Sequence, residues 1–423
     1  MKINIKSLGC KINQFDANHL KESLSGMGAE VSDGPGADVQ VIFTCTVTGK
    51  SDQQCRAEIR RAVREKRGGG LVVVAGCYAE TNPEAIMEIP GVDIVVGNDK
   101  KESIAGMILP DKTPACNSEA RSVAPGGAQA QAVGGRSRAF LKAQEGCDSF
   151  CSYCIVPYAR GRSRSARLDD VIENADRLIE KGYFEIVLTG VHLGLYGRDL
   201  AGSPRISGLV ERLLERPGLG RLRLSSIEPM ELDEGLIGLI GSPKLCRHFH
   251  LPLQSGCDRV LESMGRGYTA EEYFRTISRI HDAAPGACIG ADVIVGYPVE
   301  DDKGFDDTFR LVQDSPINYL HVFPYSPRPG TRAYSLGDPV RVDVKRERSL
   351  RLRELGRLKR LKFMQDFVGS TITVVAEDKS GVYSGLSDNY IRVRFDGAGL
   401  KPGAPAALRI DEVTDGHCNG RLA

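Results

Sequence analysis

The chain has 423 residues, a formal net charge of +1, 41% hydrophobic residues, 12 cysteines and no tryptophan. This length predicts about three domains, and the composition excludes disordered and fibrous proteins. No apolar run approaches the ~20 residues of a membrane helix, and the amino terminus lacks the apolar core of a signal peptide. We therefore expect a cytoplasmic protein without membrane contact, in which several cysteines are metal ligands because structural disulfides rarely persist in that compartment.

The first part of the chain alternates short apolar strands with amphipathic helices. This alternation predicts a parallel sheet covered by helices. The predicted strands are residues 2–8, 39–44, 71–76 and 92–97, and the predicted helices are residues 16–27 and 51–66. A stretch rich in Ala, Gly and Ser follows without a periodic apolar pattern, and it is interpreted as a linker.

A second alternation predicts six strand–helix units. Six units are too few for the eightfold barrel but suit an open relative of it. Their strands are residues 139–144, 184–190, 221–227, 249–254, 289–296 and 320–325. A basic helix is predicted next, over residues 342–367. The remaining segments are short strands separated by Gly, Asp and Asn, which predicts a small all-β barrel or sandwich.

Three cysteines lie close together directly after the first strand of the second alternation. Cys147, Cys151 and Cys154 form a C-x3-C-x2-C pattern. Three thiolates can hold a [4Fe–4S] cluster with one iron left open. A structural zinc site is the alternative, but closed zinc sites use four ligands and no fourth ligand is near in the sequence. With Tyr153 before the third cysteine, the motif resembles that of the radical S-adenosylmethionine (SAM) superfamily, in which the open iron binds SAM and reductive cleavage yields a 5′-deoxyadenosyl radical.

Three more cysteines each follow a predicted strand of the first domain. These are Cys10, Cys45 and Cys77, in SLGCKIN, FTCTVT and AGCYAE. Ligands of open α/β sheets gather beyond the carboxyl ends of the strands, so the three thiols are expected to converge on a second metal or cluster site. The alternative is that each is a small buried residue, which is common for cysteine.

Segments along nearly the whole chain resemble the methylthiotransferase family. They are LGCKIN, TCTVT, GCYAE, GCDSFCSYCIVPYARGRSRS, LTGVHLGLYG, LSSIEP, HLPLQSGCDRVLESMGRGYT, DVIVGYPVED, HVFPYSPRPGTRA and GVYSGLSDNYIRV. The resemblance implies that Cys10, Cys45 and Cys77 hold an auxiliary [4Fe–4S] cluster. It also implies a flavodoxin-like parallel-sheet domain over residues 1–105, a linker over 106–137, a radical SAM partial (βα)6 barrel over 138–366 and an RNA-binding TRAM β-barrel over 367–423.

The family has three branches that differ in substrate. Residues 189–197, TGVHLGLYG, most resemble the branch that modifies threonylcarbamoyladenosine in tRNA, called MtaB-like. The other branches modify isopentenyladenosine in tRNA or an aspartate of a ribosomal protein. The resemblance implies that one SAM methylates a sulfur at the auxiliary cluster. A second SAM supplies the radical for transfer to C2 of the adenosine at position 37, beside the anticodon. It also implies an electron donor such as flavodoxin or ferredoxin and a sulfur donor of unknown identity.

A noncatalytic iron–sulfur protein that binds RNA or senses redox state is the alternative of another class. It needs no open coordination position in the Cys147 loop. Four candidates for SAM contact follow from the family resemblance, and a purely structural role suits each of them equally well: the backbone of Tyr153, Gly190, Gln254 and Gly296. His192, His248 and His250 receive no role, and Cys55, Cys116, Cys246, Cys257, Cys288 and Cys418 are interpreted as ordinary thiols.

Three residues depart from the family pattern. Phe43 stands where Asn usually precedes TCTVT, Glu80 stands where Gln is common after GCYA, and Val299 replaces a Gly after the fifth barrel strand. Phe43 affects the prediction of a hydrogen bond from the family's Asn. Val299 affects the predicted shape of the loop after the fifth barrel strand.

Two basic segments are candidates for contact with the tRNA anticodon loop. Residues 341–363 carry ten Lys or Arg and three acidic residues, a local charge of +7. Five leucines are expected to dock this helix and leave its basic side outward: Leu350, Leu352, Leu355, Leu358 and Leu361. The second segment contains Arg160, Arg162, Arg164 and Arg167, and the barrel adds Tyr383 and Tyr390 for contact with bases. The alternative for both segments is a solvated charged surface.

Overall fold

The structure is a computed structural model that describes residues 1–32, 34–110, 129–131, 137–379, 382–397 and 399–423. Its contacts divide the chain into two compact units. Unit 1 consists of the described part of Met1–Gly127 together with Glu145–Arg164 and Ser326–Thr331. Unit 2 consists of the described parts of Ala128–Gln144, Ser165–Tyr325 and Arg332–Ala423. Most of the predicted linker, and Cys116 within it, lies outside the described residues.

Unit 1 is built on a parallel sheet of five strands in the order β2-β1-β3-β4-β5, which confirms the flavodoxin-like prediction. The strands are β1 Lys2–Ser7, β2 Glu30–Val31, β3 Val39–Thr44, β4 Leu71–Gly76 and β5 Ile94–Val96. The helices are α1 Lys11–Gly26, α2 Gly49–Glu65, α3 Cys77–Thr81, α4 Pro83–Met87 and α5 Ile104–Ile108. Helix α1 begins five residues before the predicted start, because Ile12 and Phe15 are already buried in its first turn.

Strand residues of unit 1 alternate between two apolar cores. Val41 and Phe43 of β3 pack on the α1 side, and Ile42 between them packs on the α2 side beside Ile59. Phe43, the departure from the family pattern, is 1% exposed. An aromatic ring therefore fills apolar space at this position, where an Asn side chain would need polar partners.

Unit 2 contains six parallel strands that form an open barrel, as predicted. Their hydrogen-bonded order is β10-β9-β7 in one sheet and β11-β12-β13 in the other; β6 pairs with β7 antiparallel and β8 pairs with β7. The strands are β6 Gln129–Gln131, β7 Arg138–Glu145, β8 Arg164–Ser165, β9 Glu185–Gly190, β10 Arg221–Leu224, β11 His248–His250, β12 Cys288–Val295 and β13 Tyr319–Pro324. Strand β11 is shorter than predicted, although the chain keeps hydrogen bonds to β12 as far as Gln254.

Helices separate these strands along the chain. They are α6 Val156–Arg160, α7 Leu168–Glu180, α8 Ile206–Leu214, α9 Glu234–Gly238, α10 Asp258–Met264, α11 Ala270–Ala283, α12 Asp302–Asp314 and α13 Val342–Gln365. Among the described residues, no helix is both long and apolar enough to cross a bilayer.

The barrel strands sort their residues by face, because side chains alternate along a strand. Ile289, Ala291 and Val293 of β12 join the apolar core of unit 2. The Asp292 side chain lies on the opposite face of the strand and contacts His250 of β11. Asp292 therefore places a carboxylate on the inner face of the open barrel.

Buried ion pairs lie near the amino ends of β9 and β10. Glu185 accepts from Arg221 Nε at 2.6 Å and from Arg223 Nε at 2.8 Å. The same arginines donate to backbone oxygens of Leu386 at 2.6 Å and Ser387 at 2.8 Å. These contacts join the open barrel to the carboxyl-terminal strands.

The carboxyl-terminal strands form a closed barrel in the order β14-β15-β16-β18-β17, which confirms the predicted small all-β domain. They are β14 Thr371–Lys379, β15 Val382–Ser387, β16 Arg392–Arg394, β17 Pro405–Thr414 and β18 His417–Leu422. The tyrosines expected to contact bases are half-buried and pack against aromatic neighbours. Tyr390 stacks on His248 with ring centroids 3.9 Å apart, and Tyr383 packs against Phe395 in the barrel core.

The predicted orientation of the basic helix α13 is correct in part, because Leu352, Leu355 and Leu361 pack inward and six of the ten cations in residues 341–363 are exposed. It is wrong for other residues of the helix. Leu350 and Leu358 are 56% and 50% exposed, whereas Lys345 and Arg348 are each 5% exposed. Arg348 pairs with Glu300 at 2.6 Å because α13 packs against the segment that follows β12. Part of the positive charge of the helix is therefore neutralised within unit 2.

Replacing Glu185 with Gln should destabilise the protein in a pH-dependent way. Burial raises the pKa of Glu185, but Arg223 and Arg221 outweigh it and lower that pKa to about 2, against an ordinary value of 4.5. The charge of Glu185 therefore stabilises the fold fully above pH 4.5, and this contribution disappears as the pH falls toward 2. At pH 7 we expect Glu185→Gln to cost roughly 3–5 kcal/mol, measured by urea unfolding.

The matched control is Glu180→Gln, at the exposed end of α7. It should change the free energy of unfolding by under about 0.5 kcal/mol at every pH. A gap between wild type and Glu185→Gln that stays constant from pH 7 to pH 3 would contradict the assignment.

Candidate metal centre

Cys10, Cys45 and Cys77 lie at the carboxyl edge of the sheet of unit 1. Cys10 and Cys45 follow β1 and β3 closely, and Cys77 begins α3 directly after β4; β1, β3 and β4 are neighbouring strands. Burial raises the pKa of the Cys45 thiol to about 11, and the nearby Cys10 and Cys77 sulfurs contribute in the same direction. The Cys45 thiol, buried beside the other two cysteines, can become a thiolate more readily when positive charge lies near it. This donor set fits an iron–sulfur cluster.

Small and polar residues allow the close approach of Cys10 to Cys45. Gly9 has a φ of +92°, and a Cβ at this position would lie 2.8 Å from the Cys45 sulfur. Asn13 Nδ2 donates to the carbonyl oxygens of Leu8 and Thr44, each at 2.8 Å, and so joins the ends of β1 and β3. The glycine and asparagine of the GCKIN segment therefore shape the site.

Cys55 supports Cys45 rather than joining the donor set. Its sulfur accepts from the Cys45 amide and donates to the Cys45 carbonyl, both at 3.3 Å. Burial raises the pKa of Cys55 to about 12, so it remains a thiol that can donate. The interpretation of Cys55 as an ordinary thiol agrees with this geometry.

Two side chains donate toward the Cys77 sulfur. Arg160 Nε lies 3.2 Å from it, and Asn98 Nδ2 lies 3.7 Å from it while also donating to the Ala159 carbonyl at 2.7 Å. Arg160 was expected on a surface for RNA, and that prediction is wrong, because Arg160 is 4% exposed. Arg162 and Arg167 of the same segment are exposed.

Cys147, Cys151 and Cys154 lie in a loop whose two ends meet within unit 1. The Cys147 amide donates to the Gly161 carbonyl at 3.1 Å, and the Cys154 amide donates to the Cys151 carbonyl at 2.9 Å. Gly146 has a φ of +76°, and a Cβ there would lie 1.9 Å from the Arg162 carbonyl oxygen. Only glycine fits where the two ends cross, so the loop brings three thiols together in a segment of eight residues.

A third segment holds the turn that follows Cys45. Arg328 Nη2 donates to Thr46 Oγ1 at 2.6 Å and pairs with Asp52 at 2.8 Å. Ser326 Oγ accepts from the Gly49 amide at 3.0 Å. Arg328 and Asp52 were missed from the sequence, since the only signal was that each lies in or directly beside a segment shared with the family.

Comparisons with known proteins match both parts of the chain. Residues 2–97 match the family described as "Uncharacterized protein family UPF0004", and residues 141–312 match the radical SAM superfamily. A Bacillus subtilis protein named threonylcarbamoyladenosine tRNA methylthiotransferase MtaB is 37% identical over 92% of this chain and 89% of its own. The chain belongs to the radical SAM methylthiotransferases.

Two further comparisons add the fold and a second branch. A Novosphingobium aromaticivorans protein named tRNA-2-methylthio-N(6)-dimethylallyladenosine synthase is 35% identical over 99% of this chain and 97% of its own. The radical SAM methyltransferase TsrM from Kitasatospora setae superposes with a TM-score of 0.57 at 17% identity, over 79% of this chain and 77% of that one. The TsrM likeness shows the fold alone. As a radical SAM methylthiotransferase, the chain uses SAM and iron–sulfur chemistry.

Three of the four predicted SAM contacts lie at strand ends of the methylthiotransferase barrel. Gly190 ends β9, and a Cβ there would lie 2.9 Å from Gln144 Oε1. Gly296 follows β12 with a φ of +70°, where a Cβ would meet Lys345 at 2.4 Å, and Gln254 has a φ of +64°. Crowding and backbone conformation therefore restrict these positions, and their contact with SAM stays a prediction. Tyr153 lies in unit 1, within the Cys147 loop.

The inner face of the barrel carries a histidine–aspartate–tyrosine network. Asp292 Oδ1 lies 3.0 Å from His250 Nε2 and 3.2 Å from His321 Nδ1. The Tyr319 hydroxyl lies 2.8 Å from His248 Nε2 and 2.9 Å from His250 Nδ1. Burial raises the pKa of Asp292, but hydrogen bonds from the two histidines outweigh it and hold that pKa well below its usual range. Sequence reasoning gave His248 and His250 no role and did not identify Asp292 or His321.

Replacing Arg328 with Met should destabilise unit 1 of the methylthiotransferase. The change removes the cation that pairs with Asp52, whose side chain is 11% exposed, and leaves it the hydrogen bond from Thr46. We expect a loss of roughly 3 kcal/mol in the free energy of unfolding, measured by urea denaturation. The control Arg61→Met removes an exposed pair with Glu65 and should cost less than about 0.5 kcal/mol. Equal losses in the two variants would contradict a specific role for Arg328.

Proposed function

We propose that the chain is a tRNA methylthiotransferase that adds a methylthio group to C2 of N6-threonylcarbamoyladenosine at position 37, beside the anticodon, using SAM and two [4Fe–4S] clusters. The observation that carries this proposal is the presence of two three-cysteine sets in one compact unit. Cys10, Cys45 and Cys77 would hold one cluster, and Cys147, Cys151 and Cys154 would hold the other.

The radical chemistry would come from the SAM-bound cluster when it is present, and it suits a C2–H bond that ionic substitution does not activate. The protein positions the donors. The Gly161 carbonyl and Gly146 close the Cys147 loop, and Gly9 and Asn13 bring Cys10 to Cys45. These contacts fix the sulfur atoms before any ligand binds, which reduces the ordering that binding requires.

Two observations support the threonylcarbamoyladenosine branch. The first is the name of the Bacillus subtilis relative. The second is the sequence of residues 189–197, TGVHLGLYG, which most resembles that branch. This segment forms a packed turn after β9, in which the His192 amide donates to Gln144 Oε1 at 2.8 Å and the Gly197 amide donates to Ser165 Oγ at 2.8 Å. The dimethylallyladenosine branch is the second candidate, because the Novosphingobium aromaticivorans relative is nearly as similar. A ribosomal-protein aspartate is the remaining alternative.

The tRNA contacts proposed from the sequence are reduced by the packing of α13. Lys345 and Arg348 are buried, Lys359 donates to the carbonyls of Gln313 and Ser315, and Arg360 donates to the Tyr390 carbonyl. The exposed cations of this helix include Arg346, Arg353 and Lys362, which remain candidates for phosphate contact. An electron donor such as flavodoxin or ferredoxin, and a sulfur donor, are further partners in this proposal.

Iron content and SAM cleavage test the two-cluster enzyme together. After anaerobic reconstitution we expect about eight iron atoms per chain and 5′-deoxyadenosine on addition of dithionite and SAM. The triple variant Cys147→Ala, Cys151→Ala, Cys154→Ala should keep about four irons and make no 5′-deoxyadenosine; Cys10→Ala, Cys45→Ala, Cys77→Ala should keep about four and still cleave SAM.

A control for these cysteine variants is Cys246→Ala, which removes a buried thiol outside both sets and should leave the iron content unchanged. Four irons in the wild-type protein would overturn the second cluster. Absence of 5′-deoxyadenosine would favour the noncatalytic iron–sulfur alternative.

The substrate branch is tested by mass spectrometry of tRNA nucleosides from cells that lack the gene. We expect 2-methylthio-threonylcarbamoyladenosine to disappear and its precursor to accumulate, because the C2 position is no longer modified. Expression of the wild-type chain should restore the product, and the Cys147→Ala, Cys151→Ala, Cys154→Ala variant should not. Retention of this nucleoside with loss of the isopentenyl analogue would assign the chain to the other tRNA branch.

A further inference from the structure

Arg160 contacts three parts of the chain around the site in unit 1: Cys77, helix α1 and the residue before the Cys147 loop. It ends α6, six residues after Cys154, and its side chain is 2% exposed. Its Nε donates to the Cys77 sulfur at 3.2 Å, and its Nη2 donates to Asn13 Oδ1 at 2.5 Å. Its Nη1 donates to Glu145, the residue before the Cys147 loop, at 2.9 Å. All three guanidinium nitrogens are therefore directed at the two cysteine segments and their supports.

Four charged groups form a balanced set at this point. Arg160 lies 3.5 Å from Asp16, and Lys101 pairs with Asp16 at 3.0 Å and with Glu145 at 2.7 Å. Two cations thus face two carboxylates, and all four side chains are at most 10% exposed. A buried charge is tolerated when it is paired in this way. The donor directed at Cys77 is consequently held in place rather than free to move into solvent.

We infer that Arg160 is a positioning residue that raises the reduction potential of the auxiliary cluster through its N–H···S hydrogen bond and its positive charge, and that couples the Cys147 loop to Cys77. The inference rests on the proposed function for the existence of that cluster. Hydrogen bonds to the sulfurs and nearby charge set the potential of iron–sulfur sites, because they stabilise the added electron. A planar, permanently charged guanidinium presents its donors in a rigid fork, so Arg160 can hold sulfur, amide oxygen and carboxylate in fixed directions from three different nitrogens.

Arg160 and Arg162 lie two residues apart but differ in exposure and in the partners to which they donate. The Arg162 side chain is 74% exposed and pairs with Asp148 at 3.5 Å. Arg162 carries the same charge in the same segment, but in the described part of unit 1 it donates to Asp148 and not to a cysteine sulfur. It therefore provides a control for charge alone.

The experiment measures the midpoint potential of the auxiliary cluster in the full chain carrying Cys147→Ala, Cys151→Ala and Cys154→Ala, so that this cluster alone is observed by electron paramagnetic resonance. Arg160→Gln should lower the equilibrium constant for reduction about tenfold, which is about 59 mV for one electron. The midpoint potential of Arg160→Lys should fall less, because lysine keeps the positive charge. The midpoint potential of Arg162→Gln should equal that of the parent. Equal potentials for Arg160→Gln and the parent, or equal shifts for Arg160→Gln and Arg162→Gln, would overturn the inference.

A second measurement serves if Arg160→Gln does not retain its cluster. The rate of iron loss to a chelator is then compared for Arg160→Lys and Arg162→Lys, and we expect Arg160→Lys to lose iron about 10–100-fold faster. Equal rates would overturn the inference. A parent triple variant that binds no iron would instead contradict the auxiliary cluster of the proposed function, which distinguishes the two failures.

Discussion

Burial of a cysteine sulfur at the carboxyl edge of the sheet is the constraint on which the candidate site of unit 1 depends. The parallel order of β1, β3 and β4 brings Cys10, Cys45 and Cys77 to one edge of the sheet. Burial there disfavours thiolates, as the raised pKa of Cys45 shows. Metal binding requires thiolates, so the surrounding chain must supply positive charge.

Arg160 supplies that charge from a segment distant in the sequence. It needs its own partners, because a buried guanidinium without carboxylates would be costly. Glu145, Asp16 and Lys101 complete the set. The donor beside the Cys77 sulfur therefore comes with a set of paired charges from distant positions, and this pairing accounts for basic and acidic side chains together inside a small sheet domain.

The sequence predicted the features that depend on local periodicity and strand ends. Strand alternation was enough for a helix-covered parallel sheet, without its short strand β2, and for the six-stranded open barrel, whereas the flavodoxin-like class came from the family resemblance. The cysteines were identified because each follows a strand or shares a short loop. Arg328 and Asp52 could not be found in this way, since 276 positions separate them in the numbering. Asp292 and His321 were missed for the same reason: their contact arises from the pairing of β12 with β13.

Charge counting was only partly correct where the sequence predicted a surface, since six of the ten cations in residues 341–363, which span most of α13, are exposed. All ten were expected to face water because the leucines would dock the other side of the helix, and as a rule lysine and arginine are rarely buried. That rule does not hold where a carboxylate or carbonyl faces the helix. Glu300 lies 2.6 Å from Arg348, and carbonyls of residues 313 and 315 accept from Lys359. The same error placed Arg160 on the surface.

A run of basic residues thus has two physical origins that composition cannot separate. It marks a binding surface when the acidic partners are on another molecule, and it marks internal packing when those partners lie elsewhere in the same chain. The net charge of +1 is compatible with both, because it sums over pairs that never face solvent. Topology decides between them: α13 packs on β13 and on the segment after β12, which places Glu300 against Arg348 and leaves only part of the helix available to RNA.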